Sequence, residues 1–131
     1  MSKKPFRLES VLKLRQMELD NCRLELTNRQ RRLDEVQAQL NDKESELDEQ
    51  NRVLSDLYSG GTFSPDELIN QQRFCDQILR TIAALKENFA QLSNDVAVQQ
   101  DVVTEAYKEV KKLEKLKEKE LENGELWKDS A

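Results

Sequence analysis

A leucine recurs every seven residues along the first half of this chain, without exception, from Leu12 to Leu54. A seven-residue period corresponds to 3.5 residues per turn, which keeps one stripe of an α-helix facing a partner helix through a left-handed supercoil. The row three positions further on mixes apolar and polar residues: Arg15, Cys22, Arg29, Val36, Lys43, Gln50 and Leu57. The first half therefore predicts a long amphipathic helix whose seam has one leucine row and one mixed row.

A second seven-residue register occupies the later half and is more apolar. Its rows are Leu68, Cys75, Ile82, Phe89, Val96, Val103 and Val110, and Gln71, Ile78, Leu85, Leu92, Gln99, Ala106 and Leu113. Two such stripes in one chain can bury each other. In an antiparallel pair, facing residues have numbers with a constant sum, and both registers agree on 125, which pairs Leu40 with Leu85 and Leu47 with Ile78.

The stretch YSGGTFSPDE, near the midpoint, separates the two registers. Gly60 and Gly61 can adopt left-handed backbone angles that end a helix. Ser64 can cap free amides, Pro65 suits the first helical position, and Glu67 completes the spacing of a capping box. The stretch therefore predicts a sharp bend between two helices.

We predict an all-α fold, a long antiparallel two-helix coiled-coil hairpin that forms a single domain. The expected parts are helix 1 at about residues 5–58, a bend at 59–64, helix 2 at about 65–122 and a tail at 123–131. Asn123-Gly124 predicts a helix stop, and Trp127 in the tail has no partner within such a hairpin.

Composition argues against an enzyme and against cofactors. The chain is 36% charged and 5% aromatic and contains no histidine, so it lacks an enclosed core and the commonest ligand of zinc and haem sites. Cys22 and Cys75 have no metal-ligand spacing and are expected to pack as small apolar residues. No apolar run of 18 residues and no secretory signal is present, so we expect no direct membrane insertion and a cytosolic protein.

Charge is distributed unevenly along the sequence. Residues 1–33 carry a net charge of +5 and residues 108–131 are neutral, whereas residues 34–107 carry −10. In a hairpin this pattern places a basic end opposite an acidic tip. The basic end is either a docking surface for an acidic partner or an ordinary solvated helix end. Nucleic acid is disfavoured as a partner, because the chain is acidic overall and no aromatic residues alternate with the basic ones.

Several apolar residues lie outside the seam. Val11, Leu14, Met17 and Leu24 widen the apolar face of helix 1 beyond what one antiparallel helix can cover. In helix 2, Phe74 begins a stripe that borders the seam. Its spacing of i, i+4 and i+7 is the one by which a helix presents anchor residues to a groove. Phe74 is either such an anchor or a residue that packs across the bend.

Three segments resemble members of the flagellar export protein family FliJ. They are KKPFRLESVLKLR at Lys3 to Arg15, QRRLDEVQAQL at Gln30 to Leu40, and VKKLEKLKEKE at Val110 to Glu120. The likeness spans residues 3–122, and the first segment is the most specific of the three. The one-bend layout agrees with the family.

The resemblance implies a non-enzymatic component of the flagellar type III export apparatus, similar to the stalk of rotary ATPases. It implies three partners: the hexameric export ATPase, the membrane export gate protein and export chaperones. It also implies a cytoplasmic location, peripheral to the inner-membrane export apparatus. The expected ATPase-binding residues are Arg7, Leu8, Val11, Lys13, Leu14, Arg15, Lys115 and Lys119. The expected gate-binding residues are Phe74, Ile78 and Thr81, with Thr81 standing where alanine is usual in the family.

Two other functions fit the same pattern. A leftover apolar face could pair two hairpins into a self-associating scaffold, which light scattering would detect as an obligate dimer. Alternatively, the basic end could grip unfolded chains as a holding chaperone, which would suppress aggregation of an unrelated client.

Overall fold

The computed structural model describes residues 5–61 and 64–124. Two helices account for nearly all of them, α1 at Glu9–Gly60 and α2 at Pro65–Glu122. No strand occurs in these two ranges. The helices pack against each other through apolar clusters that draw residues from both. The predicted all-α helical hairpin is confirmed.

The start of α1 is shaped by residues that precede it. The amide of Glu9 donates to the carbonyl of Phe6 at 3.0 Å, and the amide of Leu12 donates to the carbonyl of Leu8 at 2.8 Å. The Phe6 side chain is buried in the core, and the hydrogen bond between Glu9 and Phe6 closes a turn over residues 6–9. The helix therefore begins at Glu9, where a carboxylate in the first turn is also favourable to the helix dipole.

The bend uses one of the two indicated glycines and the indicated serine, since Gly60 is still the last residue of α1. Gly61 has a φ of 64°, a left-handed conformation that L residues with a side chain rarely adopt. Ser64 Oγ accepts a hydrogen bond from the amide of Glu67 at 3.2 Å, which caps α2 as Pro65 opens it. Phe63, between these residues, lies outside the described residues.

The carboxyl end of α2 stops at the predicted Asn-Gly pair. The amide of Asn123 donates to the carbonyl of Lys119 at 3.1 Å, and the amide of Gly124 donates to the carbonyl of Leu121 at 3.0 Å. Gly124 has a φ of 73°, so this stop also uses a left-handed glycine. The predicted tail beyond it, including Trp127, lies outside the described residues.

The contacts of the hairpin group into two compact units. The terminal unit consists of the described residues up to Arg29 and those from Val96 onward, and the bend unit consists of those from Gln30 to Asp95. The buried core of the terminal unit is Phe6, Leu12, Leu19 and Val110, with Leu8, Val103, Ala106, Leu113, Leu116 and Leu121 packed against it. The corresponding cluster of the bend unit is Leu40, Ile78 and Ile82, with Leu47 and Leu85 packed against it.

Each unit also contains a glutamine of α2 that reaches a backbone carbonyl of α1. Gln99 Nε2 donates to the carbonyl of Cys22 at 3.0 Å in the terminal unit. In the bend unit, Gln71 Nε2 donates to the carbonyl of Gln50 at 3.0 Å and to its Oε1 at 2.9 Å. The predicted register places each glutamine opposite an α1 residue that lies one turn beyond the residue whose carbonyl it binds. Helix carbonyls point toward the carboxyl end of their helix, so this offset is consistent with the predicted register.

The two cysteines take the places expected of small packing residues. Cys75 is buried and Cys22 is half-buried, and both are free thiols. Neither lies in a group of side chains that could hold a metal, since no such group of three or more occurs among the described residues.

Candidate functional site

Three large apolar side chains of α1 point away from the hairpin core in the terminal unit. Leu14, Met17 and Leu24 are 52%, 62% and 61% exposed, and we call them the outer apolar stripe. Met17 lies two positions from the buried Leu19, which is a rotation of roughly 200° around the helix. Val11, at 38% exposed, borders the stripe. As the sequence predicts, α2 does not cover these residues.

The predicted basic residues near the start of α1 differ in their surroundings. Arg7 and Lys13 are exposed. Arg15 is half-buried and donates to Glu18 Oε2 at 2.8 Å. This hydrogen bond, reinforced by the charges of Glu18 and then of Glu109, raises the pKa of Arg15 above its ordinary value. The charge of Arg15 is therefore largely matched within the terminal unit, whereas Arg7 and Lys13 face solvent.

Leu8 does not share the surface of its basic neighbours. It is half-buried and packs against the core cluster of the terminal unit. A half-buried leucine has little area left for a partner, so its main contribution is to the hairpin itself.

The predicted lysines of α2 lie on the outer face of that helix. Lys115 and Lys119 are both exposed and one turn apart. Lys115 is two positions from Leu113, which packs on the core, so it points away from α1. Within the terminal unit, the outer apolar stripe and the two lysines therefore face in opposite directions.

The three residues predicted for the export gate are not equally available. Phe74 is 42% exposed, whereas Ile78 is 4% exposed and belongs to the core cluster of the bend unit. Thr81 is half-buried, and its hydroxyl donates to the carbonyl of Gln77 at 3.1 Å. Ile78 also belongs to a seam row of the second register, so Phe74 is the member that presents an apolar side chain to solvent.

Phe6 is the residue that periodicity misses. It is 5% exposed and belongs to the core cluster of the terminal unit, yet it falls on neither heptad row. A useful signal is its place three residues before α1, because an apolar residue just before a helix often packs onto the first turns of that helix.

An ion pair joins the two helices near Phe6. Lys117 Nζ lies 2.9 Å from Glu9 Oε2, and their side chains are 18% and 34% exposed. This carboxylate oxygen is buried and makes no hydrogen bond of good geometry, so the lysine acts as its counter-ion. The pair links the first turn of α1 to the last turns of α2.

A protein-family model described as the flagellar FliJ protein matches residues 3–125. The chain belongs to the flagellar FliJ family. The match includes both helices and the bend, which confirms the resemblance and makes this FliJ family member a component of the flagellar export apparatus. Comparison with curated proteins and with solved structures gave no significant match. Among the described residues, no helical segment combines the length and the apolar character that a membrane span requires.

Proposed function

We propose that this FliJ family member is a non-enzymatic component of the flagellar type III export apparatus. It links and activates the hexameric export ATPase and engages the export gate and the chaperones of export substrates. It acts in the cytoplasm, peripheral to the inner-membrane apparatus. Family membership supports the general role, and the exposed surfaces of the terminal unit support the ATPase as a partner.

The observation that carries this proposal is the opposite orientation of two exposed surfaces. The outer apolar stripe faces away from α2, and Lys115 and Lys119 face away from α1. A partner that docks on one side of a helix pair contacts only one of these surfaces. A partner that surrounds the pair contacts both, and the pore of a hexameric ring has that geometry.

The exposed positive charges of the terminal unit favour a ring whose pore is lined by acidic residues. Arg7, Lys13, Lys115 and Lys119 are all exposed in the terminal unit. Exposed charges of this kind accelerate association with a partner of opposite sign and orient it, although each adds little affinity. The stripe of leucine and methionine side chains would then supply the apolar contact that holds the complex together.

For the export gate we propose Phe74 as the contact residue. Its exposed ring can enter an apolar pocket, whereas Ile78 is already buried against α1. We therefore expect Phe74→Ala to weaken gate binding with helicity unchanged. Ile78→Ala should weaken gate binding only to the extent that it loosens the bend unit, and circular dichroism would detect that loosening.

The decisive experiment mixes this chain with a hexameric export ATPase and follows ring assembly and ATP hydrolysis. We expect both to rise. The double variant Arg7→Glu, Lys115→Glu should raise the concentration needed for half-maximal stimulation about tenfold, which corresponds to about 1.4 kcal/mol. Arg52→Glu is the control, because Arg52 is also exposed but lies in the bend unit. Undiminished stimulation by the double variant would remove these basic residues from the proposal.

The outer apolar stripe also supports one rival function, a scaffold built from two hairpins. Leucine and methionine side chains exposed along one face can pair two copies into a four-helix bundle. Light scattering separates the two functions. An obligate dimer at low concentration that dissociates on Met17→Glu, Leu24→Glu would favour the scaffold, and a monomer with intact ATPase stimulation would favour the export component.

A further inference from the structure

The segment before α1 is anchored by one side chain. Phe6 is 5% exposed and shares its cluster with Leu12 and Val110, so it bridges the start of α1 and the body of α2. Arg7, the next residue, is exposed. Burial of Phe6 therefore fixes the backbone of Arg7 and leaves the guanidinium group outside.

The same cluster provides the apolar contacts for the last turns of α2. Leu116 and Leu121 are half-buried and pack against it. Helix ends fray unless tertiary contacts hold them, because the last four carbonyls lack partners within the helix. Phe6, Leu8 and the Glu9–Lys117 pair connect the first residues of the described chain to this cluster and to α2.

Three exposed cations lie next to these contacts. Arg7 follows Phe6 directly, and Lys115 and Lys119 flank Lys117 on the last turns of α2. If the segment before α1 detaches, Arg7 loses its fixed position and the lysines sit on a frayed helix end. Their average separation would then vary, and a fixed pattern of charge would be lost.

We infer that Phe6 is a positioning residue, which holds Arg7 and the lysines of the α2 end in one rigid arrangement for the acidic lining of the partner ring. This inference rests on the proposed function. It concerns a side chain that makes no contact with the partner itself. The benefit is a lower entropic cost of binding, since the charged groups are ordered before the partner arrives.

The test compares Phe6→Ala with Phe6→Leu in the full chain. Leucine keeps an apolar anchor at this position, and alanine does not. Hydrogen exchange measured on the protein alone should become at least about tenfold faster at residues 113–122 in Phe6→Ala. The reason is that the apolar contacts that oppose local opening of this segment are lost. Exchange in residues 64–95 should not change, and Phe6→Leu should restore most of the protection.

The second measurement is stimulation of the hexameric export ATPase by the same variants. We expect Phe6→Ala to require about tenfold more protein for half-maximal stimulation and Phe6→Leu to approach the parent chain. Ile82→Ala is the control for a general loss of stability, since Ile82 is buried in the other unit. It should leave the half-maximal concentration nearly unchanged at a temperature where the variant is folded.

The outcomes separate the two proposals. Unchanged exchange at residues 113–122 in Phe6→Ala would overturn the positioning role, and so would faster exchange with undiminished stimulation. Failure of the parent chain itself to stimulate the ATPase would overturn the proposed function. Exchange in the isolated protein would then still decide whether Phe6 holds the end of α2.

Discussion

The two units of the hairpin are built alike but carry different chemistry. Each contains an apolar cluster drawn from both helices and one glutamine of α2 that binds a carbonyl of α1, and the two glutamine contacts lie four heptads apart along each helix. The charges differ. Residues 30–95 contain seven Lys or Arg and 13 Asp or Glu, a net charge of −6, whereas the rest of the chain is nearly neutral at +1.

The outer surface of α1 shows the same difference along one heptad row. In the terminal unit the row contains the uncharged residues Leu14, Asn21 and Asn28. In the bend unit the same spacing gives the exposed acids Glu35, Asp42, Glu49 and Asp56. The seam rows of a coiled coil specify folding, and the outer rows are free to specify partners. An uncharged outer row leaves room for an apolar contact at Leu14, whereas a row of carboxylates suits solvent or a basic partner.

The first prediction tests whether the two clusters are energetically separate. Leu12→Ala in the terminal unit and Ile78→Ala in the bend unit should each reduce the free energy of unfolding by about 2–4 kcal/mol, because both side chains are buried. Hydrogen exchange should locate each loss in the unit that carries the change. Leu14→Ala is the control, and its 52% exposure predicts a change below about 0.5 kcal/mol.

An alternative result would break the comparison. If either buried change accelerated exchange equally in both units, the hairpin would unfold as one cooperative body. The terminal unit and the bend unit would then differ in their contacts but would not unfold separately.

The second prediction compares the two glutamines. Gln99 is 6% exposed, and Gln71 is half-buried. Removing a hydrogen bond lowers the free energy of unfolding more at a site that is more buried. Gln99→Ala should therefore lower it by about 1–2 kcal/mol and Gln71→Ala by about 0.5–1 kcal/mol. Urea denaturation measures both. The reverse order would mean that the second acceptor of Gln71, the side-chain oxygen of Gln50, outweighs burial.

The third prediction compares an ion pair in each unit and involves the smallest energies. Lys117 and Glu9 are 18% and 34% exposed and link the two helices, whereas Arg52 and Glu49 are 74% and 64% exposed and lie on one helix. Lys117→Ala should cost about 1 kcal/mol, and Arg52→Ala should cost less than about 0.5 kcal/mol. Thermal unfolding at low and high salt would measure both. Equal effects would show that partial burial adds nothing to the Glu9–Lys117 pair.

Much of the fold follows from local patterns in the sequence. The leucine row, the second register and the bend are all readable because each depends on residues close together in the chain. Gly61 and Gly124 adopt the left-handed angles that helix stops need, and Ser64 caps α2. Heptad spacing also shows that Leu14, Met17 and Leu24 fall outside the seam, so their exposure was expected.

Other features depend on which side chains each helix covers on the other when the hairpin closes. Phe6 is buried because the turn before α1 folds its ring onto the core, and no period of seven reports a residue outside the helix. The second register already places Ile78 opposite Leu47, so its burial was expected. The sequence left open whether Phe74 is exposed or packs across the bend, and in the closed hairpin it is 42% exposed. Spacing along one helix records which side chains share a face. Whether that face meets solvent or another helix depends on contacts between residues far apart in the chain, and these exist only once the hairpin has closed.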